Sequence, residues 1–215
     1  MPRSVNNMVI RYPNGQSTTY DDGKKQKMQE KLIKPKTYAN RGMRFEEAIN
    51  ESNLYYLNRK LAVIHKKPTP IQIVKVDYPR RSAAVIKEAY FREASTTDYN
   101  GVYQGQYIDF EAKETQNKTS FPFKNFHPHQ IKHMEDCLEQ AGLCFVLLWF
   151  SSLQRCFFLD SKCLVSQWHL QKETGKKSMT LAYIETNGIE IIPSIAPRIP
   201  YLKAVDQFLT MKEND

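Results

Sequence analysis

Three charged residues near the middle of the 215-residue chain, Asp98, Glu111 and Lys113, have the types and spacing for divalent-cation chemistry. Tyr107-Ile-Asp-Phe-Glu-Ala-Lys113 reads as a strand. In a strand side chains alternate, so Ile108, Phe110 and Ala112 face one way and Asp109, Glu111 and Lys113 the other, with neighbours on a face about 6.6 Å apart. A Glu and a Lys within an aromatic-rich strand are costly unless they serve each other or a ligand. Asp98 lies thirteen residues before Glu111, beside a turn, and an antiparallel meander brings the two together. Two converging carboxylates repel unless a cation lies between them. Mg²⁺ suits such a pair, because it takes one or two carboxylates, keeps several waters and leaves room for phosphate oxygens. Lys113 would then hold the attacking water or offset charge building on a phosphate. On residue type alone the three would equally make a solvated row of ion pairs. Asp109 shares the face of Glu111 and reads as structural or as an acid outside the ligand set.

The elements that must position these groups are legible around them. Asn40 caps a helix whose apolar positions Met43, Phe45, Ala48, Ile49 and Leu54 recur at three to four residues, ending near Asn58. Leu61 to Lys66 is a strand, stopped by Lys67-Pro-Thr-Pro70. Pro128 opens a helix from about His127 to Gln140, and Gly142 ends it. Leu143 to Phe150 is a buried strand that pairs with Arg155 to Leu159, and helices near 161–170 and 200–212 close the domain. The fold class expected is α/β, a mixed central sheet flanked by helices.

The charge balance of 31 Lys and Arg against 23 Asp and Glu, +8, favours a polyanionic partner, with nucleic acid first. Residues 1–36 hold eight basic and three acidic residues, hence +5, with little apolar content, and are expected to be a disordered basic arm. Residues 37–215 form one domain. Arg59 to Arg92 hold nine basic residues against Asp77 and Glu88, hence +7, and residues 67–89 are expected to project as a basic β stalk. Lys66, Lys75, Arg80 and Arg81 are its DNA-binding candidates. No stretch is long and apolar enough for a membrane span, and the first residues lack the apolar core of a signal peptide, so a cytoplasmic protein without membrane contacts is expected. Cys137, Cys144, Cys156 and Cys163 lack any Cys-x-x-Cys pair and read as reduced, buried thiols. His127, His129 and His133 read as a helix start with solvated imidazoles rather than a zinc site.

A longer pattern adds to this. Asn40-Arg-Gly-Met43 with Phe45-Glu46, Ser95-Thr-Thr-Asp98-Tyr-x-Gly101, Phe110-Glu-Ala-Lys-Glu-Thr115, Phe121-Pro-Phe123 and His127-Pro-His-Gln130 resemble, in order and spacing, the RecU family of Holliday junction resolvases. Asp98 followed by Glu111-Ala-Lys113 is also similar to the acid, gap, acid-x-Lys signature of restriction-endonuclease-like nucleases, except that Thr97 stands where a proline often precedes the first acid. The resemblance implies a metal site from Thr96, Asp98, Glu111 and Gln130, holding Mg²⁺ with Mn²⁺ as a substitute, and Lys113 as transition-state stabiliser. It implies that Glu46 acts from outside the ligand set. It further implies a restriction-endonuclease-like homodimer that nicks opposed strands of four-way DNA junctions, with the strand-exchange recombinase and the branch-migration motor as partners. The rival expectations are a sequence-specific duplex endonuclease of the same fold and a non-catalytic DNA-annealing or recombinase-modulating protein.

Overall fold

The computed structural model describes residues 9–11, 17–19, 39–77, 84–91 and 96–214, with side chains of the first helix from Phe45 onward. Residues 1–36 form one compact unit and 37–215 a second. In the first, β1 (Val9–Arg11) pairs antiparallel with β2 (Ser17–Thr19). The remainder of the segment expected to be disordered lies outside the described residues.

The second unit is built on a six-stranded mixed sheet. Its members are β3 (Ala62–Lys66), β6 (Tyr99–Tyr103), β7 (Gln106–Thr115), β9 (Leu143–Phe150), β10 (Arg155–Asp160) and β12 (Ile189–Ile191), in the order β12-β10-β9-β7-β6-β3. All neighbours run antiparallel except β7 and β9, which are parallel. A parallel pair needs a crossover, and α2 (Pro128–Glu139) supplies it. Strand β9 is buried on both faces for nearly its whole length, which is why its sequence is a continuous apolar run.

Each face of the sheet has its own core. On one, α1 (Ala39–Asn58) and α5 (Tyr201–Glu213) cover Ile108, Phe110, Ala112, Phe145 and Leu147. Helix α1 buries Phe45, Ala48, Ile49 and Tyr56, a stripe at helical spacing. On the other, α2 and α3 (Ser161–Thr174) cover Cys144, Val146, Leu148 and Phe157. Pro128 sits at the start of α2, where its missing N–H is no loss, and His127 and Gln130 close the first turn reciprocally as a capping box. Asp160 caps α3, and Gly175 ends it in the left-handed region.

Two further antiparallel strand pairs complete this unit, and the first adds Phe121 and Met179 to the second core. β8 (Ser120–Pro122) pairs with β11 (Ser178–Thr180), and α4 (Leu181–Asn187) follows. β4 (Ile71–Asp77) and β5 (Val85–Phe91) form a separate two-stranded ribbon whose side chains are nearly all exposed. Its described residues carry Lys75 and Lys87 against Asp77 and Glu88, so this shaft is neutral, with Lys87 3.1 Å from Asp77. The positive charge read from the sequence belongs to what flanks the shaft. Among the described residues no helix is long and apolar enough to cross a membrane.

Candidate active site

The turn between β6 and β7 sets the position of the acids. Gln104 and Gly105 both have positive φ, 50° and 79°, the backbone of a two-residue hairpin turn matched to strand twist. Such a turn pairs residues equidistant from it, Tyr103 with Gln106 and so on to Tyr99 with Phe110. The next step opposes Asp98 to Glu111, and the Asp98 N–H donates to Glu111 Oε2 at 3.0 Å. Gly101 lets the neighbouring strand close in, since a Cβ there would lie 2.1 Å from the Val63 carbonyl oxygen.

Glu111 is wholly inaccessible to water. Its Oε1 lies 2.7 Å from Lys113 Nζ and has no other partner among the described residues. Burial pushes its carboxyl up to about 8, with Asp98 adding to the rise and Lys113 opposing it. Burial, then the charges of Glu46, Asp98 and Glu111, drive the Tyr99 phenol well above its ordinary value, and Lys66 stands opposite Tyr99 across β3 and β6. Glu46 reaches there from α1 and is ion-paired with Lys66. Thus Asp98, Glu111, Lys113 and Glu46 gather at one end of the β6–β7 hairpin. Thr96 lies two residues from Asp98 and donates to the Thr97 carbonyl at 3.3 Å.

Gln130 is buried in the first turn of α2, its Oε1 accepting from the His127 N–H at 3.1 Å. Helix α2 links parallel strands and so runs antiparallel to β7. His133, one turn further along the same helix face, meets Asp109. Stepping back a turn to Gln130 therefore moves along β7 from Asp109 toward Glu111. Of the proposed DNA contacts, Lys66 is engaged with Glu46, Lys75 stands opposite Glu88 on the ribbon, and Arg80 and Arg81 lie outside the described residues.

Sequence reasoning missed a second polar web, centred on Asp109. This carboxylate is also fully buried, with Lys67 Nζ and the Tyr107 hydroxyl each 2.7 Å from Oδ2, and with the Thr97 hydroxyl and His133 Nε2 on Oδ1. Burial alone would raise its pKa, but hydrogen bonds from His133, Lys67, Thr97 and Tyr107 outweigh it and hold the group at about 2. His133 is consequently half-buried and partnered, not the solvated imidazole expected, because Asp109 and Cys137 draw its ring inward. The i, i+4 spacing of His133 and Cys137 was the available signal. The four cysteines are free thiols, but only Cys144 and Cys156 are buried as expected; Cys137 and Cys163 are half-buried.

A mixed α/β sheet that gathers two acids and a lysine at the end of a central hairpin defines a hydrolase core of the nuclease type. The model for recombination protein U, RecU, matches residues 40–207, and the chain belongs to that family. It is 55% identical over 207 residues to the Holliday junction resolvase RecU of Lactobacillus delbrueckii subsp. bulgaricus, covering 96% of this chain and 98% of that protein. The proteins of the same name from Latilactobacillus sakei and Lactiplantibacillus plantarum are 58% and 57% identical, each match covering 94% of this chain and 97% of the relative. A solved Archaeoglobus fulgidus resolvase, Hjc, matches 69% of this chain and 94% of its own at 12% identity and a TM-score of 0.39, too slight a likeness to decide anything.

Proposed function

We propose that this chain resolves Holliday junctions as a magnesium-dependent endonuclease, cutting opposed strands of four-way DNA during recombination and repair. The family membership supports the substrate, and one observation carries the site. Glu111 Oε1 is a fully buried carboxyl oxygen with, among the described residues, only the Lys113 ammonium beside it, one backbone step across from Asp98. An oxygen so placed fits a hard cation, and the donors available, two carboxylates with the Thr96 hydroxyl and the Gln130 amide oxygen, are of the hard kind that Mg²⁺ or Mn²⁺ takes. When bound, the cation supplies Lewis-acid polarisation of the scissile phosphate and a water of lowered pKa.

The chain's own groups do the rest. Asp98 and Glu111 hold the cation against the sheet end. Lys113 keeps its ammonium head beside Glu111 with about a fifth of the side chain open to solvent, where it meets the negative charge that grows on the phosphate oxygens. Glu46 and Lys66 neutralise each other next to the acids, so that Glu46 shapes the local field without competing for the cation. Basic residues around the ribbon, Lys66, Lys75, Arg80 and Arg81, make phosphate contacts that position the junction by shape, which makes binding salt-dependent. A junction with two equivalent cutting positions asks for two equivalent active sites, hence a homodimer. The strand-exchange recombinase and the branch-migration motor belong to the same proposal as partners.

The test is cleavage of a synthetic four-way junction, with linear duplex as control, in Mg²⁺ and in EDTA. Asp98→Asn and Glu111→Gln are expected to bind the junction and leave it uncut. Cleavage retained by both variants, or activity undiminished in EDTA, would overturn the assignment.

A further inference from the structure

On the α2-facing side of the sheet, about 6.6 Å along β7 from Glu111, three ligand-type atoms converge outside the acid pair. They are Asp109 Oδ1, His133 Nε2 and Cys137 Sγ, all within 4.8 Å of one another. Oδ1 is 3.2 Å from Nε2, and Sγ is 3.5 Å from the same nitrogen. Metal–ligand lengths of about 2.0 Å to N or O and about 2.3 Å to S, in tetrahedral arrangement, separate N from O by about 3.4 Å and N from S by about 3.6 Å. The two edges that meet at His133 Nε2 match those of a tetrahedral site.

The protonation of the cluster points the same way. One ring nitrogen faces both a carboxylate oxygen and a sulfur. If it carries a proton it can satisfy only one of them, and if it does not, its lone pair opposes that of the carboxylate. A cation at the meeting point satisfies all three at once. Lys67 and Tyr107 occupy Asp109 Oδ2, while Oδ1, which also accepts from the Thr97 hydroxyl, is turned to the ring. The Cys144 thiol hydrogen-bonds Cys137 from β9, and water can complete the set.

We propose that Asp109, His133 and Cys137 bind a borderline-soft divalent cation, zinc in chemical class, at a site separate from the acid pair. Nitrogen and thiolate donors select zinc or cobalt over magnesium, whereas the oxygens at Asp98 and Glu111 select the reverse. Binding displaces the Cys137 proton to solvent, so the two positive charges meet one carboxylate and one thiolate and the site is neutral beside Lys67. Partial exposure of His133 and Cys137 leaves an entry path. The cation ties α2 to β7 one turn from Gln130, so it steadies that helix against the acid-bearing strand.

The experiment uses the full chain, reduced and stripped with chelator, titrated with Co²⁺ alone. One equivalent is expected to bind with the near-ultraviolet thiolate-to-cobalt band and the strong visible absorption of tetrahedral cobalt, both erased by Zn²⁺. Cys137→Ser and His133→Gln should each abolish the band, while Cys163→Ser and Glu111→Gln keep it. The Glu111→Gln arm separates this site from the catalytic proposal, which fails or stands on junction cleavage instead. Absence of the band in the native chain, its survival in both Cys137→Ser and His133→Gln, or its loss in Glu111→Gln would overturn the proposal.

Discussion

Replacing Glu111 by glutamine in chelator-treated protein isolates the cost of ionising a carboxyl that water never touches. The group ordinarily titrates at 4.5 and here at about 8, with burial the largest cause, Lys113 opposing it and Asp98 adding to it. A raised acid contributes its full stability below 4.5, where it is neutral in both the folded and unfolded chain. Between 4.5 and about 8 the unfolded chain ionises while the folded one keeps its proton, so stability falls, and the loss is complete above about 8. At ~1.4 kcal/mol per tenfold change in proton affinity, that gap is worth on the order of 3 to 5 kcal/mol. Glutamine has the same shape and never ionises. Urea unfolding in EDTA should therefore find the two proteins within about 1 kcal/mol of each other at pH 5. At pH 8.5 Glu111→Gln should be the more stable by several kcal/mol. Adding Mg²⁺ at pH 8.5 should raise the native midpoint and leave the variant's nearly unmoved. A stability difference that is the same at both pH values would refute the reasoning, because it would mean that the buried carboxyl carries no unsatisfied charge.

Lys113→Ala is expected to lower junction cleavage by about 10²- to 10³-fold with little change in binding, measured by single-turnover kinetics and gel shift. Asp109→Asn should cost at least about 2 kcal/mol at neutral pH. That native advantage is present above pH 3.8 and disappears as pH falls through about 2, which unfolding curves across the acid range would reveal. Gly101→Ala forces a methyl onto the Val63 carbonyl and should destabilise the chain by about 3 kcal/mol or more, seen as a drop in the urea midpoint.

Long, strongly patterned segments were readable before any coordinates. The stripe of Phe45, Ala48 and Ile49, the unbroken Leu143–Phe150 and the Pro128 start of α2 each follow from one rule of periodicity or capping. The pairing of Asp98 with Glu111 was readable too, because a two-residue turn at Gln104 and Gly105 leaves that register little freedom. Less visible were β8, β11 and β12, since three residues show no period. The web on Asp109 was hidden for a different reason. Thr97, Lys67 and His133 come from three separate elements, and only the crossover of α2 over β7 brings them to one carboxylate. The charge counted over 59–92 falls mostly outside the described shaft, whose own residues cancel, so composition over a long window says little about where on a ribbon the charge sits.

Behind the acids, on the opposite side of the sheet, Tyr99, Phe110, Phe145 and Phe158 lie ring against ring across four adjacent strands, with centroids 4.8, 4.8 and 4.6 Å apart. A slip of one residue in any of those strands would turn rings outward and carboxylates into hydrocarbon, so the tolerances of the polar face are set by its apolar reverse. The aromatic rank thus holds the register in which Asp98 and Glu111 meet, and a lost ring would blunt the proposed site without altering one of its polar groups.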